Sequence, residues 1–207
     1  TGSMDKTIQN TCRNKISESH NANNEGFSSV KVVVNLVGFQ IIWWLMILYQ
    51  DQYVSIGLLL LIGHLMLIKE HRCESVTLLA VGFIGTLVDS ALTLGGVFEF
   101  TQNSAVGGIV PIPLWLITLW FGFAATLRHS MSYLSERLLL AGIFGGIGGP
   151  LSYVAGERLG AVNFGFSLPV VVALLAAIWA LLLPLAFVLV RRLEGRFSSV
   201  KIFHNEA

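Results

Sequence analysis

Residues 145–164 read GGIGGPLSYVAGERLGAVNF, a glycine-rich apolar run that passes straight into a paired acid and base, Glu157 and Arg158. Gly142, Gly145, Gly146 and Gly149 stand in overlapping small-xxx-small spacing, which lets helix backbones approach closely inside a membrane. Pro150 lacks an N–H for its helix and is expected to kink or break it. Beyond it, Ser152, Tyr153, Glu157 and Arg158 bring a hydroxyl, a phenol, a carboxylate and a guanidinium together at the end of the span. The segment is thus a membrane helix that ends in chemistry.

The whole chain agrees with that reading. Its 207 residues are 54% hydrophobic and only 12% charged, with a mean hydropathy of +0.72, far too apolar for a soluble domain of this size. Six spans are predicted, over about 31–50, 53–69, 76–96, 112–130, 138–156 and 168–190, each near the length of roughly 20 residues that a spanning helix needs. The expected fold is therefore an all-α, polytopic transmembrane bundle over 31–190. Thr1-Gly2-Ser3 before Met4 has the look of a protease scar from a purification tag, and residues 1–30 otherwise form a polar tail expected to be disordered. Residues 191–207 are expected to be a basic cytoplasmic tail lying on the membrane surface.

Basic residues set the orientation. Lys6, Arg13, Lys15, Lys31, Lys69, Arg72, Arg128, Arg137, Arg191, Arg192, Arg196 and Lys201 all flank the same side of the six spans, leaving Arg158 alone of the 13 on the other. Both termini are predicted cytoplasmic. Cys12 and Cys73 then face a reducing compartment, so no disulfide is expected. The net charge of +1 gives no reason to expect nucleic acid as a partner.

Asp89 is the buried charge that this topology has to explain. With Gly82, Gly85, Thr86, Thr93 and Gly96 it follows one helical face, roughly 20 Å into a hydrocarbon layer of about 30 Å. An aspartate there costs about 2.5–3.5 kcal/mol to insert, so it must face a partner or a wet cavity. Asp89, Tyr153, Glu157 and Arg158 are the candidate ligand-binding residues, with an Asp89–Arg158 pair at the centre. A structural hydrogen bond for Asp89, and interfacial snorkelling for Arg158, are the alternatives.

Two histidines are separate candidates. Gly57 and His64 share a face of span two, while Thr118, Gly122, Ala125 and His129 share a face of span four, so the imidazoles meet if these stripes do. Around His64 and His129 themselves no HxxxH, HxxE or carboxylate cluster completes a ligand set, and no metal site is expected. Elsewhere, Trp115 and Trp120 are expected to anchor the outer interface, and Asn35 to hydrogen-bond another helix. The segments LGGVFEF (94–100) and LGAVNF (159–164) echo each other, through a hairpin repeat or by chance.

The stretches LVDSALTLGG (87–96), LWFGFAATLRHSM (119–131) and GGPLSYVAGERLGAV (148–162) resemble a family of short bacterial inner-membrane proteins catalogued as domain of unknown function 2878. The resemblance covers roughly 31–190 and implies a compact multi-span protein without an established activity, some members of the family being labelled manganese or zinc permease components; it brings no catalytic residue, and the two histidines and one aspartate of the spans, at different depths, give that label little support. From the residues themselves, the expected function is binding or transport of a small molecule or lipid in the outer half of the bundle. A membrane-embedded lipid-modifying enzyme and a non-catalytic subunit of a larger transporter are the alternatives, the last implying a membrane-protein partner or homo-oligomer. Signature motifs of metalloproteases, nucleophile-elbow hydrolases and nucleotide-binding loops are absent from the sequence.

Overall fold

The computed structural model describes residues 29–68, 70–100 and 108–205, with side chains through residue 197. The expectations for residues 1–28 lie outside the described residues. The described residues form six α-helices: α1 (29–49), α2 (Val54–Leu67), α3 (His71–Leu94), α4 (Leu114–Leu127), α5 (Leu138–Arg158) and α6 (Leu168–Asn205). Two short strands, β1 (Phe98–Glu99) and β2 (Asn163–Phe164), follow α3 and α5. Four helical stretches are long and apolar enough to cross a membrane: Ser29–Leu67, His71–Leu94, Leu138–Arg158 and Leu168–Phe197. The shorter Leu114–Leu127 is also apolar.

The first of these stretches is two helices folded on each other. A continuous helix would hold Asn35 and His64 roughly 43 Å apart at 1.5 Å per residue. Instead, the Asn35 amide donates to the Ala125 carbonyl and accepts from the Ser130 N–H, while the His64 ring lies 5.1 Å from that of His129. The chain reverses through the 3-10 turn Gln50–Tyr53, where Gln50 takes a φ of 52°. Asp51 in this turn accepts the backbone N–H of Trp115 at 2.9 Å, satisfying an otherwise orphan donor in the first turn of α4. Asn35 thus ties helices together as expected, and α2 and α4 meet along their small-residue stripes: a Cβ on Gly57 would sit 3.0 Å from the Thr118 methyl.

Several boundaries differ from the sequence expectation. Helix α3 starts at His71, five residues before the predicted span, which carries Glu74 into the bundle. Pro150 does not break α5, which runs unbroken to Arg158. The carbonyl opposite the proline ring belongs to Gly146, and the neighbouring glycines leave the backbone room to adjust. Residues 191–205 continue α6.

The α5 glycines serve packing within the chain. A Cβ on Gly145 would overlap the Trp179 carbonyl of α6, and one on Gly142 would lie 3.1 Å from the Ala180 carbonyl. At the opposite end of the bundle from His64 and His129, β1 and β2 pair antiparallel, Phe98 opposite Phe164 and Glu99 opposite Asn163. The echoing segments therefore lie side by side. Both helices stop on a left-handed glycine, Gly96 (φ 72°) and Gly160 (φ 77°), each followed by an N–H that reaches back to close the last turn, Val97 to Leu92 and Ala161 to Gly156. The structural correspondence is one residue out of step with the sequence echo.

Candidate functional site

Two polar clusters lie inside the bundle. In the first, Asp89 on α3 is fully buried and accepts the Trp120 indole N–H of α4 at 2.7 Å. The Tyr153 hydroxyl of α5 donates to the same carboxylate, 2.7 Å from Oδ1 and 2.9 Å from Oδ2. Aromatic rings hold both donors in place. Trp120 stacks on Trp179 with ring centroids 5.2 Å apart and planes 7° from parallel, and Phe98 stacks on Tyr153 at 5.0 Å and 5°. Glycines make this stacking possible, since a Cβ on Gly85 would run into the Trp120 ring and one on Gly149 into the Trp179 ring.

This arrangement changes the expected site. Asp89 and Tyr153 are brought together, but Asp89 does not pair with Arg158. Arg158 is exposed at the end of α5 and makes no ion pair with a described residue, and Glu157 beside it is only half-buried. Trp120 takes the place at Asp89 that the arginine was expected to fill. Neither Trp115 (2% exposed) nor Trp120 (4%) is the interfacial anchor expected, because both point into the core. Trp44 and Tyr49 on α1 are exposed and fit that role.

Beside the Asp89 cluster lies a cavity of about 470 Å³ between α1, α4, α5 and α6. Trp43, Trp115, Trp120, Phe123 and Trp179 supply much of its wall, and Tyr153, Ser152, Gln40 and Thr126 its polar groups. It reaches the surface between α1 and α5, where Leu36 and Gln40 on one side and Phe144 and Leu151 on the other are exposed. The Trp43 indole N–H donates to Ser152 Oγ at 2.9 Å and ties these two helices together beside the opening. Neither Glu157 nor Arg158 lines the cavity.

The second cluster sits where α2, α3 and α4 end together. Glu74, 0% exposed, takes a hydrogen bond from His64 Nε2 at 2.9 Å on one oxygen and from the Arg128 guanidinium at 2.7 Å on the other. Arg128 also reaches Glu194 at 2.8 Å and Glu70 at 3.0 Å. The histidine stripes do meet, and the carboxylate missing from their own helices arrives from α3. Extending the Asp89 face backward in helical steps through Gly82 and Leu78 lands on Glu74, so the signal was present but stopped short at the predicted start of the span.

An all-helical bundle with four membrane-length apolar stretches, hydrogen-bond donors on both fully buried carboxylates, Glu74 and Asp89, and a mainly apolar cavity has the build of a multi-span membrane protein. The chain belongs to the family described as Protein of unknown function (DUF2878), whose profile matches residues 32–185. No curated protein and no solved structure matches it.

Proposed function

We propose that this protein crosses the bacterial inner membrane six times, with both termini cytoplasmic, and binds a small apolar molecule or lipid chain in the cavity between α1 and α5. The observation that carries this reading is the cavity itself. Its 470 Å³ falls within the range of roughly 300–1,000 Å³ typical of small-molecule sites, and its wall is aromatic and aliphatic with a few convergent polar groups. Its opening lies between two helices whose exposed faces are apolar, so a ligand would enter sideways from the hydrocarbon layer. Tyr153, oriented by Asp89, is the hydroxyl fixed in the wall to meet a polar atom on that ligand.

The six crossings are supported by the alternation of the helices and by the basic flanks. Asn35, His64, Glu74 and Arg128 cluster at one end, and Gln50, Gly96 and Gly160 lie toward the other. Transport would follow binding if the ligand passed on to the cytoplasmic end. The test is mass spectrometry of molecules retained by gently purified protein, beside a Gly148→Leu variant. Gly148 lines the cavity, and a Cβ there meets nothing closer than the Phe144 ring at 3.9 Å, so the larger side chain fits while narrowing the opening. An apolar species retained by the wild type and reduced at least about tenfold in Gly148→Leu, a discrimination typical of filling an apolar pocket, supports the proposal. Equal retention by both would overturn it.

A further inference from the structure

We propose that His64, Glu74 and His129 form a binding site for a divalent transition-metal ion of the zinc class. This is independent of the apolar cavity and would stand if the cavity bound nothing. The three side chains come from the last turn of α2, the first turn of α3 and the residues just after α4. Their ligand atoms all lie within 4.8 Å of one another. His64 Nε2 is 2.9 Å from one Glu74 oxygen, and His129 Nε2 is 3.3 Å from the other. Zinc held tetrahedrally at about 2.0–2.2 Å sets its donor atoms roughly 3.3 Å apart, so small rotations of these side chains would close the set. Two imidazoles and one carboxylate are also the ligand types that zinc favours, and three protein ligands leave a fourth position for water.

The cluster is not satisfied by its internal hydrogen bonds. His129 Nε2 is within ion-pair distance of Glu74, yet its geometry makes no hydrogen bond. Among the described residues, the buried side-chain atoms without a partner are this nitrogen, Thr77 Oγ1 and Ser130 Oγ. Thr77 lies one turn along α3 from Glu74, and Ser130 follows His129 directly. Of the three, His129 Nε2 faces the Glu74 carboxylate, 3.3 Å from its oxygen, and buried polar groups ordinarily find partners. A metal ion would give that nitrogen its partner.

Arg128 fits a supporting role. It holds one Glu74 oxygen at 2.7 Å, leaving the oxygen beside His64 to the metal, and it is itself braced by Glu70 and Glu194. The proton that His64 Nε2 shares with Glu74 leaves for solvent as the metal binds. The side chains of His64 and His129 keep 19% and 29% exposure, so the rim of the cluster faces outward while Glu74 and His129 Nε2 stay covered.

The test is cobalt(II) titration of the full-length protein in detergent with any affinity tag removed. Wild type should take up about one ion per chain with the visible absorption of four-coordinate cobalt, and zinc should abolish the signal by displacement. His64→Ala and His129→Ala should each weaken uptake at least about 100-fold, more than an outer-shell change, while His71→Ala and His20→Ala keep it. No stoichiometric uptake by wild type, or uptake unchanged in both ligand variants, would overturn the site. Should those variants aggregate, X-ray absorption of zinc-loaded wild type decides the matter. Two imidazole nitrogens with oxygen at about 2.0–2.2 Å support the assignment, and a shell without histidine contradicts it.

Discussion

Tyr153 donates its single hydroxyl hydrogen toward both oxygens of Asp89, at 2.7 and 2.9 Å, and so fastens α5 to α3 across the interior of the bundle. Trp120 fastens α4 to the same carboxylate. One buried acid therefore links three helices, with two neutral donors and no cation among its hydrogen-bond partners.

Removing the acid and removing the phenol should differ in cost. Tyr153→Phe loses one hydrogen bond in an apolar setting and should destabilise by about 1 kcal/mol. Asp89→Leu leaves both Trp120 Nε1 and the Tyr153 hydroxyl without an acceptor and should cost about 2–5 kcal/mol. Asp89→Asn keeps one acceptor oxygen and should fall between them. Thermal unfolding in detergent, followed by circular dichroism, gives the order; equal midpoints for all three variants would remove Asp89 from its structural role.

The stacked tryptophans depend on two glycines. Gly85→Ala and Gly149→Ala each place a methyl group against an indole ring, and overpacking of this kind costs roughly 1–3 kcal/mol. Both variants should also shift the tryptophan emission, because Trp120 and Trp179 must separate to admit the methyl. Gly148→Ala, with open space around its Cβ, should do neither.

At the other end, Arg128 is a stronger point of failure than any exposed arginine. Arg128→Ala leaves the fully buried Glu74 without its guanidinium and should cost about 3–5 kcal/mol, seen as loss of folded protein from the membrane fraction. Arg158→Ala, which breaks no ion pair with a described residue, should leave yield unchanged.

Topology can be tested at that same arginine. With Cys12 and Cys73 replaced by serine, Arg158→Cys should react with a membrane-impermeant maleimide in intact cells, and Arg137→Cys only after lysis. The opposite pattern would invert the proposed orientation.

The sequence showed the helices more readily than their partners. Apolar runs located all six helices because burial in lipid or core demands them, and the glycine stripe of 142–149 announced a close helix contact, which proved to be with α6. Partners across the bundle carry no such local signal. The expectation grouped Tyr153 with Asp89 but put a cation at the centre, since opposite charge is the obvious compensation, whereas the Trp120 indole, 31 residues away in sequence, joins the phenol there. Trp120 resembled an interfacial anchor because tryptophan is common there, and only the glycine at position 85 on another helix gives it room inside. The segments 94–100 and 159–164 end their helices in the same way, on Gly96 and Gly160, one residue out of step with their sequence echo.

Quenching of the cavity's own tryptophans tests most directly whether it admits an apolar chain from the side. Trp43, Trp115, Trp120 and Trp179 line the cavity, and Trp44→Phe removes the exposed tryptophan of α1. Titrating a brominated fatty acid into this variant should quench the emission saturably, and adding Gly148→Leu should weaken that quenching at least about tenfold. Quenching that rises linearly without saturation, or that is the same with and without the Gly148→Leu change, would contradict the account.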